Sequence, residues 1–131
     1  MHYLLDTNVV IAILENPLGP PARRVKRERV EDVGVSSIVA HELFFGAFRS
    51  RRETQNLGRL DGMRFPIIDF DGDDARQAGL LRAELGAHGT PIGPYDVLIA
   101  GQALARDLIL VTHNTREFSR VPGLRIEDWE V

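Results

Sequence analysis

The chain has 131 residues, 44% of them hydrophobic and 27% charged, the balance of one folded domain and not of a disordered segment. A net charge of −3 and the absence of cysteine exclude a globally basic nucleic-acid binder, disulfides, cysteine metal sites and a thiol nucleophile. No apolar run approaches the roughly 20 residues of a membrane span, and no basic-then-apolar leader precedes Asp6, so a cytoplasmic protein without membrane contact is expected.

The elements are read in chain order. Tyr3 to Asp6 is a short apolar strand, followed by a helix over 8–15. Asn16-Pro17-Leu18-Gly19-Pro20-Pro21 is a stiff turn, and an Arg-rich helix is predicted over 22–30. A buried strand at Val33-Gly34-Val35 leads to Ser36 or Ser37, either of which can cap a helix to about Arg49. A weaker helix lies around 53–63, where Gly58 lowers its propensity, and a third strand at 66–70. Asp71 or Asp73 caps a helix through about Gly86. Pro94, early where its missing N–H does least harm, opens a helix to about Arg106. Strands at 108–111 and 124–126 close the pattern. Apolar strands without alternation, separated by helices, predict a three-layer α/β/α fold with a mostly parallel five-stranded sheet in one domain, 1–131. Ligands of such sheets gather at the carboxyl ends of the strands.

Acids fall at those ends. Asp6 closes the first strand, either capping the next helix or, if Thr7 or Asn8 caps instead, pointing into the cleft. Glu42 sits inside a helix beside Ile38 and Phe45, at the edge of a buried stripe, where a carboxylate needs a partner, a cation or a raised pKa. Asp96 lies in the first turn of a helix, a place the helix dipole favours for any acid. Thr112, Asn114 and Glu117 follow the fourth strand. Each has an ordinary structural explanation, but together they would put several carboxylates in one cleft. A hard divalent cation with oxygen ligands relieves that repulsion, and such an ion suits phosphodiester hydrolysis.

Four motifs in this order, Leu4-Leu5-Asp6-Thr7-Asn8, Ala40-His41-Glu42-Leu43, Ile92 to Ala100 and Leu110 to Phe118, with the closing Val121-Pro122-Gly123-Leu124 to Asp128-Trp129, resemble the PIN-domain family. Length and motif order look like its VapC branch, the ribonuclease toxins of toxin–antitoxin pairs. The resemblance implies a Mg²⁺- or Mn²⁺-dependent endoribonuclease that leaves 5′-phosphate and 3′-hydroxyl ends. It further implies homodimers and a cognate VapB-type antitoxin that blocks the acidic pocket, in a heterotetramer or larger assembly. By position, Asp6 and Asp96 become the direct metal ligands and Glu42 a ligand or an orienter of water. Asn114 or Glu117 completes the catalytic set, and Asn8 and Thr112 hold the carboxylates from behind.

Other features carry plainer readings. His41 and His113 are expected as solvated or hydrogen-bonded rings. Asp69, Asp71, Asp73 and Asp74 are expected as a cap and a solvated loop. Arg23, Arg24, Lys26, Arg27 and Arg29, with Arg49, Arg51 and Arg52, form either solvated faces or a track for RNA phosphates. Phe44, Phe45 and Phe48 build core or a partner groove. Two other classes compete with a nuclease. One is a PIN scaffold that binds without cutting. The other is a phosphorylation-gated receiver domain, which needs a lysine at its acidic site, and the chain's single lysine is Lys26.

Overall fold

A computed structural model describes residues 1–131. Five strands form one sheet in the order β3-β2-β1-β4-β5, parallel throughout and not only mostly so. β1 (Tyr3–Leu5) is central, between β2 (Val33–Ser36) and β4 (Ile109–Val111), with Leu5 opposite Val35 on one side and Val111 on the other. All four residues of β2 are buried, so the absence of alternation in the sequence reflects helices on both faces of the sheet. The edges, β3 (Ile67–Ile68) and β5 (Ile126–Glu127), are two residues each. β5 begins later than expected because Gly123, at φ +78°, forms the turn before it and the Leu124 N–H bonds to Val121 O.

The strand order reverses at β1. The chain steps outward to β2 and β3, then returns to β4 on the opposite side of β1. Connections leaving the carboxyl ends of β1 and β4 diverge there and open a crevice.

Helices start where their caps dictate. Asp6 caps α1 (Thr7–Glu15) through Oδ1, which accepts the Thr7 N–H at 2.8 Å. Ser36 caps α3 (Ser37–Phe48) by accepting the Ile38 N–H at 3.1 Å. Between them, α2 (Pro20–Val25) is shorter than the sequence suggested. No residue from Lys26 to Asp32 is buried, so nothing holds a helix down beyond Val25, and the chain passes through a 3-10 turn at Val30–Asp32. α4 spans Glu53–Asp61, α5 Gly72–Ala87 and α6 Pro94–Ala105. The four-residue α7 (Thr115–Phe118) was not anticipated; it inserts Phe118, 1% exposed, into the core.

α5 and α6 touch backbone to backbone. A Cβ on Gly101 would lie 2.5 Å from Ala78 Cα, so only glycine permits this approach. The same helix pair corrects the reading of the Asp69–Asp74 segment. Asp71 and Asp74 form a reciprocal capping box, and Asp74 is no loop residue: it is 1% exposed and gripped by Arg106 at 3.2 and 3.0 Å. Burial alone would raise the Asp74 carboxyl, but Arg106, the Asp71 N–H and Gln102 together hold it below its ordinary range.

Candidate active site

The crevice at the β1–β4 switch point gathers the acids. Asp6 leaves β1 with both oxygens engaged. Oδ1 caps α1, and Oδ2 accepts a hydrogen bond from the Thr112 hydroxyl at 2.9 Å. Thr112, fully buried at the end of β4, also accepts the Asn114 N–H at 3.0 Å, so one hydroxyl ties the first strand to the loop after the fourth. Asp6 therefore serves in both of the ways the sequence left open, as a cap and as a wall of the cleft.

On the far side of that loop, Asn114 Nδ2 donates to Glu117 Oε2 at 2.8 Å. The other Glu117 oxygen accepts the Gly93 N–H at 2.6 Å. Asn114 and Glu117 are thus one unit, with the amide orienting the carboxylate. Gly93 precedes α6 and leaves room for both acids: a Cβ there would lie 3.1 Å from Asp96 Oδ2 and 3.5 Å from Glu117 Oε1. Glu42 faces the cleft from α3, half-buried. Asn8 is exposed and forms no hydrogen bond to a carboxylate; the neighbouring Thr7 amide does that work for Asp6.

Electrostatics register the crowding. Burial raises the Asp6 carboxyl, and Glu117 adds to the rise against the opposing bonds from Thr112 and Thr7. Glu42 is raised by burial and by Asp6, with the Thr7 hydroxyl and His41 opposing. Asp96 carries the largest effect. Burial, then the charges of Glu117 and Asp6, a hydrogen bond to Glu117 and the charge of Glu42 push it to about 7. Glu117 moves the other way, held below its usual range first by the Gly93 N–H and then by Asn114. The two carboxyls therefore titrate as a pair, with Asp96 the later to give up its proton as pH rises.

Four carboxylates from four separate elements, with the Thr7 hydroxyl buried among them and lacking a well-formed partner, make an all-oxygen donor set. That composition fits a hard divalent cation, and Asp6, Glu42, Asp96 and Glu117 are the residues able to hold one. The one trio whose ligand atoms already lie within 4.8 Å of one another is elsewhere, beyond β5: His113, Asp128 and Glu130. His113 Nδ1 lies 3.0 Å from Asp128 Oδ2. The lone lysine is remote in role: Lys26 caps α2 and bonds Pro17 O, so the acid cluster has no lysine and the receiver reading loses its required group.

The PIN domain matches residues 3–124. The chain belongs to the PIN-domain family. It is 40% identical over 131 residues, 98% of each chain, to a tRNA(fMet)-specific endonuclease VapC of Shigella flexneri. It is 39% identical, over 99% of each chain, to a ribonuclease VapC2 of Rickettsia felis. Among solved structures, DNA-bound VapBC from Salmonella typhimurium superposes with a TM-score of 0.94 at 41% identity, covering 98% of both chains.

Several features of this PIN domain were not singled out from its sequence. The sequence gives Gly93 no chemistry of its own, and only the close approach of Asp96 and Glu117 reveals its role. Arg24 is not part of a solvated face: its guanidinium lies 4.9 Å from the Trp129 ring and 6.0 Å from that of Tyr3, and it pairs with Glu28 and Glu127. The exposed aromatics of α3 are not core, which leaves the partner-surface alternative for them. A groove of about 250 Å³ between α1, α3 and α4 is walled by Ile11, Leu14, Leu43 and Leu60 and reaches Glu42. Phe45 and Phe48 lie outside its walls and are 58% and 59% exposed.

Proposed function

We propose that this PIN domain is the toxin of a toxin–antitoxin pair, a VapC-type endoribonuclease dependent on Mg²⁺ or Mn²⁺ and silenced by a VapB-type antitoxin. The observation that carries the reading is the convergence of Asp6, Glu42, Asp96 and Glu117 at the switch point, with Asp96 pushed to about 7 by its acidic neighbours. In this reading Asp6 and Asp96 hold the cation, with Glu42 beside them. When bound, such an ion stabilises charge building on a phosphate and makes water a better nucleophile. The remaining work belongs to the chain. Thr112 and the Thr7 amide lock the Asp6 rotamer. Asn114 and Gly93 lock Glu117. Glu42, with its raised carboxyl, is fitted to orient the attacking water and accept its proton.

Relatives named as VapC ribonucleases align over nearly their whole length, which supports RNA as the substrate, with initiator transfer RNA the first to test. VapBC complexes among the structural neighbours support an antitoxin partner and an assembly of toxin dimers with antitoxin. The groove ending at Glu42 suits an apolar antitoxin segment whose cationic tip pairs with the acids. No helix is long and apolar enough to cross a membrane, in keeping with action in the cytoplasm.

The test is cleavage of single-stranded RNA and transfer RNA by the purified chain, with the new 5′ ends sequenced. EDTA should abolish cleavage, Mg²⁺ or Mn²⁺ should restore it, and Ca²⁺ should support little turnover because its looser shell positions water poorly. Full activity in EDTA would overturn the metal reading.

A further inference from the structure

The rim of the acid cleft carries an aromatic pair that the hydrolytic reading leaves unused. Tyr95 immediately precedes Asp96 at the start of α6, and His41 immediately precedes Glu42 on α3. Their ring centroids are 5.7 Å apart at an interplanar angle of 50°, so the pair bridges the same two helices that contribute the two acids. Tyr95 is nevertheless 47% exposed, and His41 is exposed as well. The core therefore accounts for neither ring. His41 packs against Tyr95 at a tilt, and nearly half of the Tyr95 surface stays open to solvent.

We infer that Tyr95, braced by His41, is a stacking platform for an unpaired nucleobase next to the phosphate that is cut. This rests on the ribonuclease reading above and adds a substrate requirement to it. Stacking needs a base that has left its helix, so the platform selects single-stranded or loop nucleotides over duplex RNA. It is tolerant of base identity, because every base offers a π face. The brace matters because a tyrosine already held in place loses less freedom when a base lands on it.

The experiment uses the full-length chain. Cleavage kinetics are measured for wild type, Tyr95→Ala, Tyr95→Trp and His41→Ala on a short single-stranded RNA. Binding is read in an Asp6→Asn background with 2-aminopurine placed at successive positions. Tyr95→Ala should raise KM by about 5- to 150-fold, the range for one lost base stack, with a smaller change in kcat. Tyr95→Trp should retain near-normal KM, and His41→Ala should fall between. Quenching of 2-aminopurine should be strong at one position and lost in Tyr95→Ala. An unchanged KM in Tyr95→Ala, or no position-specific quenching, overturns the platform. So does a loss of activity that follows a change in oligomeric state by light scattering, which would make the pair a contact between copies. Wild type that cleaves no RNA with Mg²⁺ or Mn²⁺ would instead fail the ribonuclease reading itself.

Discussion

Replacing Asp96 by asparagine should make the metal-free protein more stable while disabling it, and the gain should depend on pH. The carboxyl is pushed to about 7 in the folded chain, against an ordinary 3.8. Between those values the folded state holds a proton that the unfolded state has released, so stability falls as pH rises from about 4 to 7 and stays low above. The interval is about 3 pH units, a ceiling of about 4 kcal/mol at roughly 1.36 kcal/mol per unit. Asp96 is only partly buried and shares its proton with Glu117, so about half of the ceiling, ~2 kcal/mol, is expected from the substitution. An asparagine amide can still donate to Glu117 and carries no charge. For a domain of this size that gain corresponds to a rise in Tm of about 6–10 °C. Calorimetry in EDTA at pH 4 and pH 8 reads the effect: the variant should melt near wild type at pH 4 and well above it at pH 8. Adding Mg²⁺ at pH 8 should raise wild type toward the variant and move the variant little. A gap between the two proteins that is equal at both pH values would refute the electrostatic reasoning.

Asp6→Asn should reduce RNA cleavage by at least roughly 100-fold with the fold intact by circular dichroism, as loss of a metal ligand does, whereas Glu117→Gln should cost less; the reverse order in a cleavage assay would exchange their roles. Thr112→Val removes the hydroxyl between Asp6 and Asn114 and should lower kcat by about 10- to 100-fold, with Thr112→Ser restoring most of it. Arg106→Met strands the buried Asp74 carboxylate and should cost about 3 kcal/mol in urea unfolding at pH 7. Because the Asp74 carboxyl is held below its ordinary 3.8, that contribution is present above about pH 4 and fades as pH falls through the folded value. The variant's deficit should therefore shrink in acid.

The positions that sequence reading located are those where local chemistry and strand order coincide. Asp6 had to lie at the carboxyl edge because it ends an apolar strand, and Asp96 had to face it because Pro94 fixes where its helix begins. What stayed hidden depends on pairings distant in sequence. The division of labour between Asn114 and Glu117 is set by the Gly93 N–H, 24 residues away along the chain. Asp74 looked solvated because Arg106, 32 residues on, decides its burial. The short reach of α2 follows from the absence of any buried residue between Lys26 and Asp32, which an Arg-rich stretch with helical spacing does not announce. The four residues of α7 are too few for periodicity to mark and are held by Phe118 in the core.

The two-residue strands that bound the sheet have a consequence for how the molecule meets others. Adding a strand to a sheet requires a row of unpaired backbone N–H and C=O groups, the same feature that seeds aggregation. Here β3 and β5 end before such a row can form, even though Ile67 on the β3 edge is 51% exposed. Strand addition at either edge is thereby closed to copies and partners. A second copy of this chain finds no template at either sheet edge on which to pair.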